Sequence, residues 1–323
     1  GDHRAAREPL ERRLEQGGEH PDRARHLAMI ARGLEEEDLL DAAWGRYEEA
    51  IEAQADLEVA HEGLVRVHER TGRTDAALEA LERWADASND ESARATAAFR
   101  AAEHALALDD AERALLHLET ATEADPILTP AWLLRCELAA DRGSDRETRQ
   151  LCEAALESVE PDALAAPIAL RAARLAEVAG DMETARRHYA QAAAWDPRNV
   201  EAALCESRLA RMAGDWQDAD DVLHRFVTNH PDHESPTLAH VHLERGRLLA
   251  GPLEDVGGAV AAYESALARQ PELGVARTAL ARQLQLEGSR WREALHQHRR
   301  ILTGSPTAPE THPALVIRAQ CRQ

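Results

Sequence analysis

The sequence contains no lysine: all 38 of its basic side chains are arginine. Aromatic residues fill only 3% of its 323 positions. β-Branched residues are also sparse, so β-strands have little of their preferred material. No run of about 18 apolar residues occurs, which excludes a membrane-spanning helix. There are four cysteines, Cys136, Cys152, Cys205 and Cys321. None sits in a C-x-x-C pair, which excludes zinc-ribbon and thioredoxin-type chemistry, and no disulfide framework is visible. The first three fall on apolar helix positions and read as small buried thiols. A reducing, cytoplasmic compartment fits. A periplasmic one stays open if an upstream targeting segment was removed, since the chain opens on Gly1 with no signal-peptide pattern.

What is present favours helix. Ala dominates the apolar set, with Leu, Glu and Arg, all strong helix formers. The net charge of −21 makes this an acidic protein. Nucleic-acid binding requires a basic footprint, so it is excluded for the surface as a whole, and anionic membranes are disfavoured for the same reason. An acidic surface without lysine also suits high salt.

One phrase recurs along the chain. A small turn is followed by a small anchor residue, a larger residue four later and another packing residue seven later. The anchors are Ala43, Ala77, Ala114, Thr148, Ala185, Ala219, Ala259 and Ala294, spaced by 34, 37, 34, 37, 34, 40 and 35 residues. Four past them stand Tyr47, Leu81, Leu118, Cys152, Tyr189, Leu223, Tyr263 and His298. Seven past them stand Ala50, Trp84, Ala121, Ala155, Ala192, Phe226, Ala266 and Ile301. Offsets of four and seven share one helical face. Pro126, Pro197, Pro231, Pro271 and Pro306 lie twelve past their anchors and close the second helix of a repeat. Turns such as Thr71-Gly72-Arg73, Ala179-Gly180-Asp181 and Ala213-Gly214-Asp215 separate the two helices, with glycine suited to a left-handed cap.

This pattern resembles the tetratricopeptide repeat family, whose repeat is 34 residues long. Residues 166–199 carry the fullest match, through Gly180, Ala185, Tyr189, Ala192 and Pro197. Trp132 falls where the family places its first-helix tryptophan. The resemblance implies an all-α, right-handed solenoid of about eight helix–turn–helix repeats over residues 22–306. Residues 1–21 read as a partial-repeat helix and 307–323 as a lone terminal helix, together an extra partial repeat at each end. First helices are expected near 22–36, 57–70, 92–107, 129–141, 163–178, 200–212, 236–250 and 273–287. Second helices are expected near 39–53, 75–86, 110–123, 144–157, 181–193, 215–228, 256–269 and 291–303. Longer loops are expected at Ala87–Glu91 and Glu160–Ala165. The 40-residue interval places an insertion at Asp232–Pro236 or Gly251–Gly258.

The resemblance also implies that first helices line a concave groove. Eleven residues before the anchors lie Arg32, Arg66, Glu103, Glu137, Arg174, Arg208, Leu248 and Gln283. Fourteen before lie Met29, Gly63, Arg100, Leu134, Arg171, Cys205, Arg245 and Leu280. Offsets of three share a helical face. Arg171, Arg174, Arg208, Arg211 and Arg245 are therefore expected to form one basic stripe, and Arg32 and Arg66 a smaller one. Such a stripe would receive an acidic or C-terminal peptide through paired guanidinium–carboxylate hydrogen bonds. The alternative is that these arginines pair with their own chain's carboxylates, Glu177, Glu201, Glu206 and Glu244 among them, as solvated ion pairs. The lysine and asparagine set of the family's carboxylate-clamp members is absent.

Elsewhere, His224, His230, His233, His240 and His242 cluster near Asp232 and Glu234, but their spacing fits no metal motif. No nucleophile elbow, phosphate loop or H-E-x-x-H is present. No catalysis, metal or cofactor is expected. Trp84 and Trp132 sit at packing positions, and Trp44, Trp216 and Trp291, near second-helix starts, are expected to pack on the preceding turn. The reading is a protein-interaction scaffold or adaptor, with a self-assembling structural protein, joined through its apolar C-terminal end, or a regulatory region of a longer protein as alternatives. Replacing Arg171, Arg174 and Arg208 with Glu is expected to abolish partner binding without unfolding the array.

Overall fold

The computed structural model describes residues 9–12, 22–230, 236–287 and 290–304. The described residues form helices and no strand. The chain divides into two compact units, residues 1–160 and 161–323. In the first unit the order is α1 (Arg23–Glu36), α2 (Leu40–Ala53), α3 (Glu58–Arg70), α4 (Thr74–Ala87), α5 (Glu91–Ala107), α6 (Ala111–Ala124), α7 (Thr129–Asp141) and α8 (Asp145–Ser158). In the second it is α9 (Ala166–Val178), α10 (Met182–Trp195), α11 (Val200–Ala213), α12 (Trp216–Asn229), α13 (Pro236–Ala250), α14 (Val256–Arg269), α15 (Gly274–Glu287) and α16 (Trp291–Gly304). Within each unit, helices pack on their sequence neighbours, giving four two-helix repeats. Of the partial repeats expected at the ends, only residues 9–12 are described, and they are helical; 307–323 lie outside the described residues.

The anchor register is the core. All eight anchors are buried, including Thr148. So is every described residue four past them, from Tyr47 to Tyr263, and all eight residues seven past them. His298 lies outside the described side chains. A small anchor brings two helices into contact, and the larger residues at four and seven fill the space beside it. Burying each large apolar side chain contributes about 1.5–3 kcal/mol. The alanine-rich first helices use the same logic: α5 buries seven alanines and α9 buries Ala166, Ala169, Ala172, Ala173 and Ala176.

Each described turn within a repeat contains one left-handed residue, always five before the anchor. Glycine fills it at Gly72, Gly143, Gly180 and Gly214, and an acidic residue at Asp38, Asp109 and Glu254. In five of these seven turns the next residue donates its N–H five back, as in Asp110 to Ala105, Asp181 to Ala176 and Asp215 to Ala210, each at 2.9 Å. That bond closes the first helix in a Schellman-type cap. Asp110, Asp181 and Asp255 then cap the second helix, accepting from the N–H of Arg113, Thr184 and Gly258. Pro126, Pro197 and Pro271 follow the ends of α6, α10 and α14 by two residues, the position where a ring can no longer clash with a helix interior.

The extra residues of the irregular repeats fall partly elsewhere than expected. Residues 88–90 form a short connection, and the added length lies in α5, which runs for 17 residues. Asp90 caps it, and its alanine-rich sequence has no Gly or Pro to stop it. The connection at 159–165 is long, as expected. Within the 40-residue interval, the five-residue turn 251–255 and the 15-residue α13 take up part of the added length, and residues 231–235, the other expected place for the insertion, lie outside the described residues. The longer turn moves α13 relative to its anchor, and Leu248 there is buried; Leu280 and Gln283, also expected in the groove, are buried on α15. Gly63 is buried as well, because the ring of Tyr47 packs on its Cα.

A left-handed glutamate costs more than a left-handed aspartate, whose short side chain tolerates this region. Glu254→Gly is expected to raise stability by about 1 kcal/mol, and Asp109→Gly by less, read as a higher denaturant midpoint. Gly63→Ala is expected to cost about 1–3 kcal/mol by driving Tyr47 from its place, read in the same way.

Candidate functional site

In the first unit, α1 and α3 lie side by side and enclose an open depression of about 510 Å³. Arg32, Glu35, Glu36, Val59, Glu62, Arg66 and Arg70 line it. Glu35 is its hub. Arg66 donates to both Glu35 oxygens, from Nε at 3.3 Å and Nη2 at 3.2 Å. Tyr47 donates its hydroxyl to Oε2 from the core side at 3.0 Å. Arg70 reaches the Glu35 carbonyl and Asp38 at 3.0 and 2.6 Å. Burial and the adjacent Glu35 carboxylate hold the Tyr47 phenol well above its ordinary range. Arg32 is held more loosely, 3.6 Å from Glu36 with its side chain 69% exposed. Val59 and Met29 add exposed apolar surface, Met29 lying one turn before Arg32.

The second unit repeats the arrangement. Tyr189 donates to Glu177 at 3.1 Å, and Arg208 donates to the same oxygen at 2.7 Å. In both cases the tyrosine is 12 residues and the arginine 31 residues beyond the glutamate. The Arg208 hydrogen bond pulls the Glu177 carboxyl below its ordinary range. Arg174 pairs with Glu201, and Arg211 with Glu244 at 3.0 Å. These pairs link α9 to α11 and α11 to α13.

Arg32 and Arg66 thus meet in one depression, and Arg174, Arg208 and Arg211 lie on adjacent first helices. Arg171 lies half-buried on α9. Arg245 turns away from this ladder: it grips Asp220 on α12, at 2.8 Å from Nε. The carboxylates Glu177, Glu201 and Glu244 are the expected partners, so the surface is a lattice of alternating charge. Glu206 is not among them. It is buried, and its nearest cation is Arg225 on α12, 3.6 Å away. A glutamate at position 208 would face Glu177, and one at 174 would face Glu201. Reversing these charges therefore strains the fold, and Arg→Gln variants separate binding from stability.

Sequence reasoning placed the tryptophans unevenly. Trp84 and Trp132 are buried, whereas Trp44 and Trp216 are 41% and 40% exposed. Among the described residues, no group of three or more His, Cys, Asp or Glu could hold a metal. His233, Asp232 and Glu234 lie outside the described residues. His242 is packed inside, near Arg245 and Arg269. Among the described residues, no helix is long and apolar enough to cross a membrane.

Fold and register define a helical-repeat protein whose repeats pair in sequence order. The sequence model described as tetratricopeptide repeat matches residues 203–233. No curated protein matches the chain in sequence. Among solved structures, the C-terminal part of a TPR repeat-containing protein from Cytophaga hutchinsonii is similar, with TM-score 0.50 and 13% identity over 78% of this chain and 99% of that one. YrrB, a TPR protein with an unusual peptide-binding site, aligns with TM-score 0.44 and 18% identity over 62% of this chain and 96% of its own. PilW, a type IV pilus biogenesis factor, gives 0.40 and 18% over 68% and 98%. Residues 203–233 thus carry a tetratricopeptide-repeat sequence, and the chain shares the helical-repeat fold of a TPR repeat-containing structure.

Burial holds the His242 imidazole down to about 4, with Arg269 and Arg245 adding to the effect, and burial lowers His61 and His68 as well. These rings are neutral in the folded chain, while an unfolded histidine protonates near its ordinary 6.5. Stability is therefore complete above that value and falls as pH drops from about 6.5 toward 4. Urea midpoints are expected to fall between pH 7.5 and 5, and to fall less in His242→Leu.

Proposed function

We propose that this chain is a scaffold that holds a segment of a partner protein on its first-helix face. The depression between α1 and α3 carries this reading: it joins the exposed Val59 side chain to three arginines in an open surface, with exposed Met29 one turn before Arg32. The occupant that suits it is acidic, either a carboxylate-rich stretch or a chain terminus. An incoming carboxylate can take over Arg32 directly, and can share Arg66 with Glu35. The Arg32–Glu36 pair is exposed and worth only about 0–1 kcal/mol, so an incoming carboxylate replaces Glu36 there at little cost. The planar guanidinium still imposes geometry on whichever carboxylate it holds. Arg171, Arg174, Arg208 and Arg211 extend the same chemistry in the second unit, whereas Arg245 is committed to Asp220.

A displayed peptide library selected on the wild-type chain at low salt tests this. Enriched peptides are expected to be acidic or to require a free C-terminal carboxylate, and to weaken as salt rises. Binding is expected to drop about tenfold or more in Arg32→Gln or in Arg174→Gln/Arg208→Gln, with the urea midpoint measured beside each so that lost binding is separated from lost stability. Enrichment of peptides without carboxylate preference, or equal binding by the variants, would overturn the reading.

A further inference from the structure

Glu206 is a buried carboxylate whose hydrogen bonding the chain does not complete. Its side chain is 10% exposed, and its Oε2 accepts no hydrogen bond. Arg225 supplies opposite charge at 3.6 Å, too far for a hydrogen bond, from a side chain 61% exposed. Arg186 is already committed to Asp215 and Asp218. Glu206 therefore has partial charge compensation but lacks a donor. Burial pushes its carboxyl up, as expected for an under-solvated anion.

The same residue lines a cleft of about 340 Å³ between the C-terminal halves of α10 and α12, floored by α11. Ala190, Ala193, Ala194, Val222 and Phe226 form its apolar walls, Arg225 and Asn229 stand on its α12 side, and Glu206 is the one carboxylate that lines it. Buried acceptors left without a donor cost free energy, and a ligand that supplies the donor regains it.

The molecule shows twice what completes such a carboxylate. Glu35 and Glu177 each carry an arginine on one side and a tyrosine hydroxyl on the other. Glu206 has the arginine and an apolar cleft, but no aromatic donor. A second cation would face repulsion from Arg225, whereas a neutral phenol would not. We propose that this cleft is a binding pocket for a tyrosine side chain of a partner segment, its ring on the alanines and Phe226 and its hydroxyl donating to Glu206. This pocket is built from α10, α11 and α12 and does not depend on the first-helix depression. Aromatic side chains of this kind are the usual anchors of protein interfaces.

Methyl-detected NMR of alanine- and valine-labelled protein, titrated with p-cresol and separately with 4-methylanisole, tests the pocket. The first probe is the tyrosine side chain, and the second has the same ring without the donor. p-Cresol is expected to shift the Ala193, Ala194 and Val222 methyls and to bind about tenfold tighter than 4-methylanisole. In Glu206→Leu that preference is expected to vanish. Should this variant fold poorly, the comparison of the two probes on the wild-type chain decides alone. Equal binding of both probes, or shifts confined to other methyls, would overturn the proposal. Tighter binding of 3-methylindole than of p-cresol would overturn the assignment to tyrosine in favour of tryptophan.

Discussion

The structure depends on the small residue at each anchor. Alanine there lets the second helix of a repeat lie directly on its neighbours, and every other regular feature is timed from it. The residues four and seven later fill the contact, the left-handed turn lies five before, and the second-helix cap lies four before. Because each repeat buries its face only on adjacent repeats, the chain needs few aromatic residues and no large central core. That explains how a sequence with 3% aromatics folds at all.

The timing also sorts the charges. With the packing faces fixed, arginines and carboxylates are left on the remaining faces, one repeat apart and within reach of each other. Pairs such as Glu35 with Arg66 and Glu177 with Arg208 span adjacent first helices, while Glu48 with Arg83 and Glu82 with Arg113 span adjacent second helices. Each is worth little alone in water. On our proposal, their value lies in presenting guanidinium groups in a fixed array that a partner's carboxylate can enter.

Much of this was legible in the sequence because it is periodic. All eight anchors and the helix pairs they time were readable from spacing alone, since a side chain's burial in a repeat array follows from its register. Features that depend on the meeting of two registers were not readable. Nothing in the sequence around Arg245 says that a 15-residue helix followed by a five-residue turn would aim it at Asp220. Leu248, on the same helix, is buried as well. The Tyr–Glu–Arg triads could have been found, because their spacings of 12 and 31 recur in both units. The cleft at Glu206 could not, since it arises where Ala190, Ala193 and Ala194 are too small to fill the space beside Val222 and Phe226.

The central claim is that the first-helix face receives the partner while the anchors hold the stack. A photo-crosslinking residue placed at Met29 on the first-helix face, and separately at Leu116 on α6, compares two exposed apolar sites of one unit directly. On irradiation in the native cell extract, a discrete adduct of higher mass is expected from position 29 and none from position 116. An adduct from position 116 alone would contradict the claim and move the partner to the second-helix face.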